Sequence, residues 1–329
     1  MRADIFWKTI MTAEMKHKRI QAILPEIRRL VSPCRACGHA CGADRTGNGL
    51  GVCGAGLGDG DHARWQAVLA HFGEEPMLVG QGGSGTVFFS HCCLRCAFCQ
   101  NWQISHCGEG RNGHFLELAE AFLELERQGV ENINLVTPTQ YILPILAALE
   151  AACARGLAIP IVYNTNGYDS AELVRLLNGV IDVWLPDFKY MAPESAERFS
   201  HAANYPETAR AALRAMYAQS GPLRMTDNVA AGGVIIRHLV LPHDVAGSFD
   251  FLLWLRDQQM TDVTLSIMSQ YSPQYHAAHY PEITRPVTPK EYQDVIDFAE
   301  KLGFEHLLVQ EMDSHNVFLP DFERKQPFL

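Results

Sequence analysis

Three cysteines stand close together as Cys92-x-x-x-Cys96-x-x-Cys99, and thiolates at that spacing can face one metal cluster from a single tight loop. A [4Fe–4S] cube held by cysteines takes four. Three leave one iron open, and an open iron binds a ligand and does chemistry on it. The competing reading is three inert buried cysteines, or three quarters of a zinc site; Phe98, Gln100 and Asn101 beside the loop agree with the open cluster. A second group, Cys34-x-x-Cys37-x-x-x-Cys41 followed by Cys53, sits among Gly38, Gly42, Gly47, Gly49, Gly51 and Gly54, as a loop wrapped round a metal requires. Four thiolates saturate either zinc or an iron–sulfur cube, so this site reads as structural or electron-relaying, with the metal open between the two. Cys93, Cys107 and Cys153 stand unallied. Cys93 adjoins a ligand, but neighbours in an extended turn point apart, so it reads as a non-ligand.

The elements that would position these groups alternate. Apolar runs predict strands at Thr86–Ser90, Asn132–Thr137, Pro160–Asn164, Val180–Asp187, Val234–Leu241, Val263–Met268 and His306–Gln310. Helical segments fall between them, near 116–128, 141–155, 170–178, 206–219, 249–259 and 289–302, with Gly129, Gly156, Gly179 and Gly303 where left-handed caps are needed. That is the pattern of a parallel sheet with crossover helices. Six or seven βα units are too few for a closed eight-stranded barrel. An open partial barrel or a doubly wound sheet remains. A first helix is expected over 12–31, where Ile20, Ile23, Leu24, Ile27 and Leu30 share a face and Ser32-Pro33 ends it. The division expected is 1–83 for the helix and Cys-rich extension, 84–311 for the α/β body and 312–329 for a tail. In that tail Phe318, Leu319, Phe322 and Phe328 serve as a strap. Polar groups collect where strands lose hydrophobicity: Thr137-Pro138-Thr139, Asn164-Thr165-Asn166-Gly167, Asp187-Phe188-Lys189, Arg237-His238 and Gln270-Tyr271. Chemistry in barrel folds gathers at such ends, although any one of them also serves as a cap or turn.

The run Ser90 to Asn101 resembles the cluster loop of radical S-adenosylmethionine (SAM) enzymes, nearest the pyruvate formate-lyase activating group and its activase-like branch, over roughly Cys34 to Glu311. The resemblance implies a partial (βα)6 TIM-like barrel of α/β class. It also implies a [4Fe–4S] cluster on Cys92, Cys96 and Cys99 whose open iron chelates the amino and carboxylate groups of SAM. Reductive cleavage of the sulfonium then gives methionine and a 5′-deoxyadenosyl radical. Phe98 would lie beside the adenine. Asn164, Asn166, Asp187 and Lys189 match the family's Asp-Thr-Asn-Gly and Asp-x-Lys segments around SAM, with Asn in place of the first Asp. Lys189 would pair with the SAM carboxylate, Asp187 would hold that lysine or a monovalent cation, and Arg237 would add a contact from the fifth strand. The family's Gly-Gly-Glu element is absent; at its place Thr137 and Thr139 would have to receive the SAM amino group. The resemblance further implies a reductant protein such as flavodoxin or ferredoxin. A protein substrate, as for activases of glycyl radical enzymes, follows from it, with a small-molecule or other peptide substrate as the alternative. An electron carrier without SAM chemistry is the rival of another class.

Composition sets limits on the rest. Net charge is −10, so no general basic footprint points to nucleic acid. No apolar run is long enough to span a membrane. Ten cysteines without an export signal read as metal ligands in an oxygen-sensitive cytoplasmic protein. Gly80-Gln81-Gly82-Gly83-Ser84-Gly85 fits the dinucleotide fingerprint, but it precedes a strand instead of following one and reads as a lead-in. His276 and His279 have metal-like spacing without a third ligand and lie between Pro273 and Pro281, so they read as loop residues.

Overall fold

Apolar runs without polar alternation belong to strands covered on both faces, and here they form the parallel part of a ten-stranded sheet. The computed structural model describes residues 11–47, 49–56, 58–312, 319–324 and 326–328. In chain order the strands are β1 (His62–His71), β2 (Ser84–Phe89), β3 (Arg111–His114), β4 (Ile133–Val136), β5 (Ile161–Thr165), β6 (Val183–Pro186), β7 (Arg224–Thr226), β8 (Val229–Leu239), β9 (Thr264–Met268) and β10 (Leu307–Val309). The helices are α1 (Ala13–Val31), α2 (Pro76–Val79), α3 (Trp102–Ser105), α4 (Phe115–Arg127), α5 (Ile142–Ala154), α6 (Ala171–Leu176), α7 (Pro193–Ser200), α8 (Tyr205–Ser220), α9 (Ser248–Asp257) and α10 (Pro289–Lys301).

Across the sheet the order is β10-β9-β8-β6-β5-β4-β2-β1-β3, with β7 paired to β8. From β2 to β10 every neighbouring pair on that path is parallel. β1 runs antiparallel to both β2 and β3, so the sheet is open at two edges. This is the expected α/β partial barrel. All seven strands predicted from apolar runs are present, while β1, β3 and β7 are additions. β1 lies in the segment assigned to the extension, yet its pairing with β2 carries the sheet across that boundary.

α1 begins where the Thr12 hydroxyl accepts from the Met15 amide, and it buries Ile20, Ile23, Ile27 and Leu30. Each such side chain contributes about 1.5–3 kcal/mol. Its partner α5 is buried along most of its length, because it is covered by α1 as well as by the barrel. A buried Lys16–Asp182 ion pair joins α1 to the end of the turn before β6. The tail packs as expected: Phe322 is fully buried against Phe88, Ile104 and Val136, with Phe328 alongside. Phe318 lies outside the described residues. No described helix is long and apolar enough to cross a membrane. The glycine run after α2 turns into β2, and the Gln81 and Gly82 amides both donate to the Glu131 carboxylate, at 2.9 and 3.0 Å. A carboxylate therefore occupies the backbone donors that a dinucleotide phosphate would need.

Candidate functional site

β2 is buried at all six positions and delivers the chain directly into the cysteine loop. Gln140 fixes the exit, its amide donating to the carbonyls of Ser90, His91 and Thr137 at 3.0, 3.0 and 2.8 Å. α7 fixes the far side: the Ala97 amide donates to Phe199 O at 2.7 Å and the Arg95 amide to Ser200 O at 3.2 Å. Donors are aimed at the sulfurs themselves. Asn166 Nδ2 lies 3.2 Å from Cys92 Sγ, and Ser200 Oγ donates to Cys96 Sγ at 3.1 Å. The Cys92 thiol is brought down to about 7, by the Cys93 thiol first and then by the Leu94 amide and Asn166 against the opposing effect of burial. Burial pushes Cys99 up to about 12 and Cys96 upward as well. Deeply buried thiols ionise when a metal supplies the compensating charge.

Cys92, Cys96 and Cys99 line one end of a cavity of about 740 Å3, together with Phe98 and the strand-end residues Thr137, Asn164, Asn166, Asp187, Lys189 and Arg237. The structure thus gathers every strand-end residue expected around SAM except Thr139. Their charges form a ladder. Lys189 Nζ donates to Asp187 Oδ2 at 2.7 Å, and Arg237 Nε donates to Asp187 Oδ1 at 2.8 Å. Arg237 also donates to Asn164 Oδ1 at 2.6 Å and to Glu74 Oε2 at 3.4 Å. Burial disfavours every charge here, but Arg237 and Lys189 hold the Asp187 carboxyl below its usual range, and Asp187 with Glu75 and Glu74 keeps Arg237 firmly protonated. The turn that carries Asn166 needs glycine next. Gly167 has φ +80°, and a Cβ there would stand 2.3 Å from the Asp187 carbonyl oxygen.

Two carboxylates at the deep end escape sequence reasoning. Glu74 and Glu75 leave β1 just before Pro76 and line the same cavity. Because β1 runs antiparallel to β2, they sit at the opposite end of the barrel from the cysteine loop. Burial pushes Glu75 up to about 7 and raises Glu74, and Glu75 Oε2 is buried with no hydrogen-bond partner. The available signal was an acidic pair before a proline in an otherwise apolar turn.

Other expectations need correction. Thr139 faces away from the cavity; its hydroxyl donates to Asp169 Oδ1 at 2.8 Å, beside Tyr163 OH at 2.9 Å and Thr165 Oγ1. A fully buried carboxylate demands those hydroxyls, so Thr139 serves Asp169. Cys93 is not unallied, since its thiol faces Asn166 Oδ1 at 3.7 Å and lines a pocket with Cys37. It does point away from the cavity, on whose wall it is missing. Cys107 is exposed and Cys153 buried. His238 is a core histidine bonded to Phe188 O and Ser248 Oγ, each at 2.8 Å. His276 and His279 stack on a turn, their ring centroids 5.4 Å apart, and the His276 amide donates to Ala97 O of the cysteine loop at 2.8 Å. Cys34, Cys37, Cys41 and Cys53 line a second, smaller pocket together.

The Radical SAM superfamily model matches residues 86–230, the stretch from β2 through β7. The uncharacterized protein MJ0674 of Methanocaldococcus jannaschii is 30% identical over 287 residues, covering 84% of this chain and 77% of that protein. Among solved structures, HydG, a maturase of the [FeFe]-hydrogenase, aligns with TM-score 0.45 and 14% identity over 66% of this chain. HydG of Carboxydothermus hydrogenoformans aligns at 0.48 and 14% over 72%, and methylornithine synthase (PylB) at 0.40 and 16% over 66%. The chain spans 49%, 60% and 60% of those three solved chains. With the three-cysteine loop at the C-terminal end of the first parallel strand and this family match, the chain belongs to the radical SAM superfamily, whose chemistry is the cleavage of SAM at an iron–sulfur cluster.

Proposed function

We propose that Cys92, Cys96 and Cys99 hold the cluster, that SAM lies between it and the charge ladder, and that the radical abstracts hydrogen from a small substrate bearing a positively charged group. The carrying observation is a single cavity with three thiols at one end and, at the other, Glu75, whose Oε2 is buried without a hydrogen-bond partner. When bound, the cluster supplies the electron that splits the sulfonium. The protein's own residues do the rest. Lys189 has ammonium hydrogens beyond the one given to Asp187, and these would meet the SAM carboxylate. Arg237 gives three of its five N–H donors to Asp187, Asn164 and Glu74, so it holds the ladder in place. Phe98, packed edge-on to Tyr271 with centroids 5.5 Å apart, offers an apolar edge for adenine.

Substrate size follows from the walls. About 740 Å3 lies within the roughly 300–1,000 Å3 of small-molecule sites, and SAM takes a large share. Pro320 and Phe328 of the tail line the same cavity, narrowing entry for a folded partner. Charge follows from the deep end, where Glu74, Glu75 and Asp187 face Arg237 and Lys189, so carboxylates outnumber cations by one once Glu75, raised to about 7, ionises. An ammonium or guanidinium group would satisfy it. The activase reading, with a glycine-bearing protein loop as substrate, rests on the cysteine-loop resemblance alone.

The test is anaerobic: reconstitute the cluster, reduce, add SAM and measure 5′-deoxyadenosine. Wild-type protein is expected to release it and Cys96→Ala to release none. Metabolites that bind a cation exchanger should accelerate release and transfer hydrogen to the product. A glycyl radical on a co-purified protein, with no effect of cationic metabolites, would overturn the small-substrate reading in favour of the activase. Turnover retained in Cys96→Ala would remove the site assignment itself.

A further inference from the structure

Four thiols outside the cavity remain without a role. Cys34 follows α1 directly, and its amide donates to Ala43 O at 2.9 Å while its carbonyl accepts from the Gly42 amide at 3.0 Å. That closed turn sets Cys34 and Cys41 on one wall. Cys37 is tied to the barrel through a bridge with Asp169, and Cys53 arrives from a glycine turn closed by the Gly51 and Gly54 amides. The result is one pocket lined by Cys34, Cys37, Cys41 and Cys53, with Arg45 and Cys93 at its edge.

Arg45 says what charge the pocket carries. It is 2% exposed, and it donates to Cys53 Sγ at 3.2 Å and to Gln140 O at 2.7 Å. Among the described residues no carboxylate forms an ion pair with it. A guanidinium buried without a counter-charge is strongly disfavoured. The partner on hand is sulfur, so the site is built for thiolates, and four thiolates packed together require a metal.

The choice of metal rests on position: Cys93 lines this pocket and adjoins Cys92 of the other loop, where an electron carrier has a use and a closed zinc has none.

We propose that Cys34, Cys37, Cys41 and Cys53 hold a second [4Fe–4S] cluster, complete in its ligands and balanced by Arg45, which feeds electrons to the Cys92–Cys96–Cys99 centre. The proposal rests on the radical SAM reading only for its electron acceptor. The link is short. Cys93 lines the four-thiol pocket beside Cys37, and Asn166 Nδ2 lies 3.2 and 3.3 Å from Cys92 and Cys93 Sγ. A low-potential one-electron donor protein, a reduced flavoprotein or ferredoxin, reduces the second cluster. That cluster returns to its oxidised state as the first gains the electron, and no proton or bond changes hands.

The test counts metal in full-length, anaerobically reconstituted protein and in the triple variant Cys92→Ala, Cys96→Ala, Cys99→Ala. The expected result is eight iron and eight sulfide per wild-type chain and four of each in the variant. The variant should give an isolated reduced-cluster electron paramagnetic resonance signal. Wild-type protein should show that signal broadened by its neighbour. One zinc per chain, or a wild-type content of four iron that vanishes in the folded variant, would overturn the second cluster. Four iron in both proteins would leave the second cluster standing and instead sink the assignment of the first. Should the variant not fold, the wild-type count and zinc content decide alone.

Discussion

Replacing Glu75 with Gln is expected to stabilise the protein, and to do so more as pH rises. Glu75 is crowded by Glu74 and Asp187 and shares Arg237 with both. Its carboxyl is pushed from 4.5 to about 7, so the folded state binds a proton that the unfolded chain has released. A carboxyl raised on folding weighs against stability above its unfolded value, and the burden grows until pH passes the folded value. With the carboxyl moved from 4.5 to about 7, the burden is about 1 kcal/mol at pH 5, about 2 at pH 6 and about 3 at pH 8. Gln keeps the shape and a polar end but has no charge to desolvate, so Glu75→Gln removes that burden. Unfolding of the holoprotein followed by fluorescence across that range is the assay. The variant should gain most above pH 7 and least near pH 5. A gain independent of pH, or a loss above pH 7, would refute the view that Glu75 is a charge held at a cost. The same variant should bind n-butylammonium no better than n-butanol, whereas wild-type protein should prefer the cation.

Removing the guanidinium in Arg237→Met leaves Asp187, Glu74 and Glu75 facing Lys189 alone, so a loss of about 3–5 kcal/mol in urea unfolding is expected; a loss below 1 kcal/mol would show that the ladder is loose. Thr139→Val deprives the buried Asp169 carboxylate of one donor and should cost about 1–3 kcal/mol while leaving the KM for SAM unchanged; a raised KM would return Thr139 to the SAM site. Lys16→Met strands Asp182 between α1 and the barrel, with an expected cost of about 3 kcal/mol or more in thermal unfolding, and an unchanged Tm would show that α1 docks through its apolar face alone.

The parallel strands were legible because burial on both faces leaves unbroken apolar runs, such as Ile133–Val136 and Val183–Pro186. β1 was hidden for the opposite reason. Its ten residues are mostly half-buried, mix His62, Arg64, Gln66 and His71 with apolar neighbours, and so lack a clean period. α7 is short and rich in charge, and its value to the site, the Ser200 hydroxyl on Cys96, is a tertiary contact. The strand-end groups were legible because chemistry gathers at those ends, although spacing cannot say which way a side chain turns. Thr137 faces the cavity and Thr139 does not, because Asp169 competes for its hydroxyl. Glu74 and Glu75 could not be placed without knowing that β1 returns antiparallel and lays its end across the barrel. That Cys93 has company was hidden, since Cys37, which lines the same pocket, lies far away in sequence.

Bare iron at the cysteine loop is most directly tested by electron–nuclear double resonance on the reduced protein with SAM carrying magnetic isotopes at its amino nitrogen and carboxylate oxygen. Coupling of both nuclei to the cluster is the predicted result. A cluster signal without either coupling, in protein that has bound SAM, would contradict the account.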